Sequence, residues 1–277
     1  MSTDGPPSEA EGSARRTLAR RYERKVLDPR AWAEFGGSGF YDVGLWGPDT
    51  HDQASACEAL VDRVAAGLPP RPRLLLDVAC GAGATTERLR TAAHARVALG
   101  IDVTAAFVGV ARRRFPSCSF AIMDATAPAL ADGSVDAVTC IEAAFHFRSR
   151  RRFLGQAARV LRPGGRLVLT DLVVADADLL GRWMAPVEND LASDDYAGLV
   201  AAAGFDEVSV VDSTEECWHA YCRAAGSRTS SPVLQRHFDA LADGAVQAYL
   251  LVTATRSTSA TPPAPQPQTA GARTGRS

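Results

Sequence analysis

The sequence predicts an α/β protein built on a doubly wound, mostly parallel sheet. Three observations carry this. Short, continuous apolar runs recur at a steady spacing from about residue 73. Amphipathic helical stretches separate them. Several runs end in an acid, and Asp77, Asp102 and Asp124 stand 25 and 22 residues apart, one strand–helix unit each time. Continuous apolar runs suit strands buried on both faces of a parallel sheet, and strand–helix alternation builds such a sheet.

The elements follow in order. Asp52 caps a helix with Cys57, Leu60, Val61 and Val64 on one face, closed by Gly67. The strands are Leu74–Val78, Val97–Asp102, Phe120–Asp124, Val135–Ile141 and Leu167–Asp171. Thr104 opens a helix that buries Phe107, Val110 and Ala111. Leu154, Ala157, Ala158 and Leu161 share a helix face that ends at Pro163-Gly164-Gly165. A helix near Asp194 to Ala203 and strands Glu207–Val211 and Val246–Ala254 complete the sheet. The sequence divides into a disordered tail (1–18), an aromatic N-terminal lid (19–70), a ligand-binding domain (71–256) and a second low-complexity tail (257–277).

Composition narrows the function. In 277 residues, 46% are apolar and 22% charged, and net charge is −2, so no basic field draws the chain to a nucleic-acid backbone. No apolar run approaches the roughly 20 residues of a membrane helix, and Met1 to Ala14 is polar, which argues against a secretory signal. Cys57, Cys80, Cys118, Cys140, Cys217 and Cys222 are scattered without C-x-x-C spacing, as expected of reduced thiols in a cytoplasmic protein. Lys25 is the single Lys, so the arginine runs at 112–114 and 148–152 read as solvated helix faces. No His, Asp and Glu set has metal-ligand spacing, and homo-oligomerisation stays open.

In doubly wound sheets ligands bind beyond the carboxyl ends of the strands. Asp77, Asp102 and Asp124 should therefore line one crevice. After Asp77 comes a glycine-rich turn, Gly81-Ala82-Gly83, with Thr86 where a dinucleotide fingerprint needs its third glycine. A carboxylate where pyrophosphate would sit repels phosphate and argues against a nicotinamide oxidoreductase. It suits a ligand with an ammonium or sulfonium group. Asp102 or Asp124 taken alone reads equally well as a turn or cap acid.

The strings L-L-L-D-V-A-C-G-A-G-A-T, G-I-D-V-T, M-D-A-T and L-R-P-G-G-R-L-V-L-T-D resemble the class I S-adenosylmethionine-dependent methyltransferases, strongly over about residues 52–175. The resemblance implies a seven-stranded Rossmann-like sheet with an N-terminal helical lid and S-adenosyl-L-methionine as cofactor. Asp77, Ala79, Gly81 and Gly83 would hold its methionyl part. Ala79 replaces a glycine, a mild change by size. Asp102 would take the ribose hydroxyls and Val103 would flank the adenine. Asp124 and the Ala125 backbone would meet its amino edge, with Ile141 completing the site. The stretch Glu142-Ala143-Ala144-Phe145-His146-Phe147, and Phe40 to Trp46 upstream, look like natural-product enzymes that methylate hydroxyls or activated carbons.

The resemblance implies methyl transfer to a small-molecule hydroxyl, with His146 as general base and Asp171 orienting it or contacting the acceptor, since related sugar O-methyltransferases place a His and an Asp at matching positions; a neutral imidazole suits that role near pH 7. Trp46, Phe145, Trp183 and Trp218 are candidate walls of the acceptor pocket. C-methylation, or a cofactor-binding cyclase that transfers no methyl, are the alternatives on the same fold. A nucleic-acid methyltransferase lacks support, since no Asn-Pro-Pro-aromatic motif follows the fourth strand. A binding-only module would leave His146 and the lid without purpose.

Overall fold

The structure, a computed structural model, describes residues 37–147, 149–180 and 195–258. Seven strands form one sheet in the order β3-β2-β1-β4-β5-β7-β6. The strands are β1 Leu74–Val78, β2 Val97–Asp102, β3 Ser119–Ile122, β4 Val135–Cys140, β5 Leu161–Val174, β6 Phe205–Asp212 and β7 Val246–Arg256. β1 to β5 run parallel, and β7 enters antiparallel between β5 and β6. The chain moves outward from β1 to β3 and returns to place β4 beside β1. The switch point where a ligand crevice opens therefore lies between β1 and β4.

Helices cover both faces. They are α1 Gln53–Ala65, α2 Ala84–Ala92, α3 Ala105–Arg114, α4 Arg150–Val160, a single turn α5 Ala177–Leu180, α6 Tyr196–Ala202, α7 Ala220–Ser227 and α8 Pro232–Gly244. Asp52 caps α1 through a reciprocal capping box with Ser55, and Cys57, Leu60, Val61 and Val64 are buried as their spacing predicts. One large core packs α1, α7 and α8 against one face of the sheet. A second packs α4 and α6 against the other.

Several details differ from expectation. α4 stops at Val160, before Leu161, because Leu161 already pairs with Val135 at the start of β5 and Pro163 disfavours helix at Arg162. The Pro163-Gly164-Gly165 segment then forms an irregularity in β5, not a helix terminus. β3 ends at Ile122, which leaves Asp124 two residues beyond the strand. Thr104 stands at the α3 N-cap without a side-chain hydrogen bond, and Val108 replaces Val110 in the buried set. The C-terminal end packs slightly further than expected: Ser257 is buried and its N–H donates to Gly204 O. The expected tail 1–18, the lid up to residue 36 and residues from 259 onward lie outside the described residues.

Candidate active site

β1 delivers Asp77 to the switch point but not to its surface. The side chain is 1% exposed. Thr86 Oγ1 donates to Oδ2 at 2.6 Å, Thr85 Oγ1 donates to the same oxygen at 3.0 Å, and Thr139 Oγ1 of β4 donates to Oδ1 at 2.9 Å. The parallel register sets Thr139 directly opposite Asp77. Burial pushes the carboxyl up to about 6, against the pull of the three hydroxyls. The expectation of a carboxylate facing a ligand cation gives way to an anchor: Asp77 ties the first turn of α2 and strand β4 to β1.

The loop above it depends on backbone conformation. Ala79 has φ +57°, Gly81 +51° and Gly83 +89°. Ala79 is therefore not a mild replacement, because a Cβ in the left-handed region costs roughly 1–2 kcal/mol. The two glycines serve different ends. A Cβ on Gly83 would stand 2.8 Å from Ala111 Cβ and 2.9 Å from the Phe120 ring, so Gly83 lets α3 and β3 pack close. A Cβ on Gly81 would meet only Tyr41 Cδ2, at 4.0 Å. Gly81 thus presents bare backbone beneath the Tyr41 ring, which itself stands edge-on to Phe107 at 5.1 Å.

Asp102, the last residue of β2, accepts from Gly81 N–H at 3.1 Å and from Thr104 N–H at 2.7 Å. Burial raises its pKa while the two N–H groups work against the rise. A carboxylate has about four acceptor sites, and two are used by these bonds, which leaves capacity for a vicinal diol. Val103 follows half-buried. Asp124 accepts from the N–H and hydroxyl of Thr126, both at 2.8 Å, and Ala125 is buried beside it. Gly81, Asp102 and Asp124 thus lie at the carboxyl ends of β1, β2 and β3, an arrangement chemically fitted to the methionyl, ribose and adenine parts of S-adenosylmethionine.

β4 supplies the other wall. Ile141 is buried, Glu142 turns the chain with φ +47°, and a 3-10 turn, Ala144–His146, follows. His146 is half-buried with its ring tilted over Phe145 at 4.0 Å between centroids. Phe145 and Ile141 belong to the same apolar cluster as Leu172, Leu180 and Tyr249, with Trp46 packed at its margin. Trp46 is held by Nε1–H donating to Val43 O at 2.9 Å, with the Arg228 guanidinium 5.9 Å above its ring.

Two expected site residues are placed elsewhere. Asp171 is fully buried in β5. Its Oδ2 accepts from Arg150 Nε at 2.6 Å and from Tyr196 OH at 2.7 Å, and Oδ1 accepts from Leu172 N–H. Committed to an ion pair beneath α4 and α6, it is not available to orient His146. Arg150, read from sequence as solvated, is buried as its partner. Trp218 is core: it packs among Tyr221, Leu241 and Tyr249, and its Nε1–H donates to Leu241 O at 3.0 Å. Trp183 lies outside the described residues.

The sequence reading gave no role to the half-buried Glu142 beyond β4. Glu142 accepts from Val43 N–H at 3.0 Å and from Tyr249 OH at 2.7 Å. Beside it Asp42 is 3% exposed, and burial pushes it up to about 6. An alternation of small and aromatic residues around 40–46 gave no sign of this; a Glu directly beyond a fully buried strand was the available signal. Among the described residues no group of three His, Cys, Asp or Glu side chains is arranged to hold a metal, and no helix is long and apolar enough to cross a membrane.

Comparison with known proteins identifies the family and the fold. The profile of the family described as "Methyltransferase domain" matches residues 76–169. O-methyltransferase cnsE of Penicillium expansum is 35% identical over 193 residues, covering 64% of this chain and 69% of the relative. The 27-O-demethylrifamycin SV methyltransferase of Amycolatopsis mediterranei is 31% identical over 197 residues, covering 66% and 72%. Among solved structures, geranyl diphosphate C-methyltransferase from Streptomyces coelicolor A3(2) superposes with a TM-score of 0.71 at 15% identity, covering 88% of this chain and 97% of that one.

Proposed function

The chain belongs to the S-adenosylmethionine-dependent methyltransferases, and from that premise we propose that it methylates a hydroxyl of a small, largely apolar metabolite of a natural-product pathway. The observation that carries the hydroxyl acceptor is the pair of relatives named for O-methylation, aligned over about two thirds of this chain.

S-adenosylmethionine, when bound, supplies a methyl sulfonium that needs no covalent activation. The chain's tasks are to hold the cofactor, align the acceptor, exclude water and remove one proton. Asp102 would accept from the ribose hydroxyls, and its bonds to Gly81 and Thr104 N–H keep it fixed. Gly81 offers backbone to the methionyl part, with Asp77 and its three threonines holding the loop from below. Asp124 and Ala125 would meet the adenine amino edge, Val103 would flank the ring, and Ile141 would back the site. Phe145 and Trp46 wall the acceptor and keep water out. His146, stacked beside Phe145, would take the hydroxyl proton of the acceptor, a role suited to a neutral imidazole near pH 7.

Incubation with S-adenosylmethionine and a panel of hydroxylated polyketide and phenolic compounds tests this. The expected product carries one added O-methyl group with equimolar S-adenosylhomocysteine. A C-methyl product would overturn the hydroxyl acceptor, and an isomerised product without cofactor turnover would favour a non-methylating cyclase.

A further inference from the structure

The segment that carries Tyr41 over the cofactor loop is clamped by two acids that the reaction above leaves unused. Residues 40–46 run across the end of β4 as a strap. Leu45 N–H donates to Ala56 O and Trp46 N–H to Glu216 O. Gln53 Nε2 donates to the carbonyls of Asp42 and Val43 at 3.1 and 3.0 Å, and Cys57 Sγ to Asp42 O at 3.2 Å. Gly44, at φ +83°, lies so close to α1 that a Cβ would stand 2.7 Å from the Ala56 backbone. The strap therefore cannot slide on α1. On its other side it is held by Glu142, whose two oxygens share Val43 N–H while Tyr249 OH donates to one of them.

Asp42 is the residue before Val43, and its charge adds to the rise that burial imposes on the Glu142 carboxyl. Neither carboxyl oxygen of Asp42 has a hydrogen-bond partner among the described residues. Among the described residues no Arg, Lys or His contact compensates the pair. The titratable groups facing it are Cys57 of α1, Cys217 with Glu216 behind it, and Tyr249 of β7, all neutral or negative. Arg228 reaches only Gln53 and the face of Trp46. Two carboxylates, one buried and one half-buried, without a counter-ion cannot both ionise cheaply, and a proton retained between them removes the conflict.

We propose that Asp42 and Glu142 share one proton, and that this singly charged pair is the clamp that positions Tyr41 over Gly81 for cofactor binding. Loss of the shared proton leaves two like charges beside the Val43 contact and loosens the strap from Glu142. Cofactor affinity should then fall on the alkaline side through this pair, independently of His146. Burial raises both acids, in keeping with a proton held through neutral pH.

This rests on the cofactor site proposed above, and the test separates the two. S-adenosylhomocysteine binding is measured by calorimetry from about pH 5 to about pH 9.5 in buffers of differing ionisation enthalpy. In the unaltered protein, affinity should drop about 10-fold or more at the alkaline end, with uptake of about one proton per site on binding. Asp42→Asn and Glu142→Gln each leave a single acid that ionises alone, so in both the alkaline drop should vanish. Parallel profiles in all three proteins, or no proton uptake by the unaltered protein, would overturn the shared-proton clamp. Uptake in excess of that seen with whichever variant folds decides the matter, since the ligand's own amino group adds the same uptake in every protein. Absence of any binding would instead sink the cofactor site itself.

Discussion

Replacing Asp77 with Asn should flatten a specific part of the pH–stability curve. The carboxyl is buried and its folded-state pKa lies near 6 against an unfolded value of 3.8. Two pKa units correspond to about 3 kcal/mol. The native state holds the proton more tightly, so this stability is fully present below about pH 4 and is lost as pH rises through 6. Above that range the anion persists because three threonine hydroxyls bind it. Asn cannot ionise, and the threonine hydroxyls rotate to accept from its NH2, so the variant keeps the anchor and skips the loss. Urea unfolding at half-unit intervals between about pH 4 and pH 7 should show the variant losing about 3 kcal/mol less than the unaltered protein across the window. Asp42 contributes a decline in the same range and keeps the variant's curve from becoming flat. Glu87, held down to about 2 by Arg90, acts at lower pH and is partly screened. Cofactor affinity of Asp77→Asn should fall only a few-fold. Parallel curves for the two proteins would refute the burial argument. A loss of 100-fold in affinity would mean that Asp77 meets the cofactor's charge directly.

Four further substitutions extend the test. Asp102→Asn sets an NH2 group against Gly81 or Thr104 N–H and removes charge-assisted bonds worth roughly 1.5–3 kcal/mol, so S-adenosylhomocysteine should bind about 10-fold or more weakly by calorimetry. His146→Ala should lower turnover on the order of 100-fold with cofactor affinity unchanged, and turnover matching the unaltered protein would place the base elsewhere. Arg150→Ala leaves the Asp171 carboxylate buried without its cation and should cost about 3–5 kcal/mol in unfolding measurements, whereas a loss below about 1 kcal/mol would deny the buried pair. Ala79→Gly trades left-handed strain of roughly 1–2 kcal/mol against the extra freedom of glycine in the unfolded chain and should leave the melting temperature equal or higher.

The sheet was legible because each buried strand announces itself as an apolar run, and because Asp52 and Ser55 write a helix start into adjacent positions. The positions of Asp102 and Gly81 followed from one strand–helix unit per acid. Asp77 looked the same as Asp102 in sequence, yet their environments differ. Thr85 and Thr86 were visible as neighbours, whereas Thr139 is 62 residues away and reaches Asp77 only through the β1–β4 register. Asp171 and Arg150 mislead for a related reason. An acid at a predicted strand end reads as a ligand contact and an arginine in a basic run reads as solvated, but β5 continues to Val174 and the α4 N-terminus turns Arg150 inward. Trp218 shows the limit of reading aromatics by type. An indole that finds a backbone carbonyl in the core satisfies its one polar atom there and has no need of a pocket.

The most informative departures from local preference lie where the two central strands end. Ala79 follows β1 and Glu142 follows β4, and both hold left-handed backbone that neither residue favours. The strands are neighbours at the switch point, so each strained residue bends its chain away from the sheet on one side of the same crevice. The bend after β1 leads to Gly81 and its bond with Asp102. The bend after β4 leads to Phe145 and His146, while the Glu142 side chain grips the strap that covers Gly81. Strain of this kind persists only where the surroundings over-determine it. Here those surroundings are the Thr170 oxygens that both accept Glu142 N–H, the Ile101 carbonyl that accepts Cys80 N–H, and the strap contact at Val43. Neither Ala nor Glu advertises such a conformation in a sequence. The loop after β1 and the turn after β4 are thus shaped by one physical device used twice, and the strap joins the two bends.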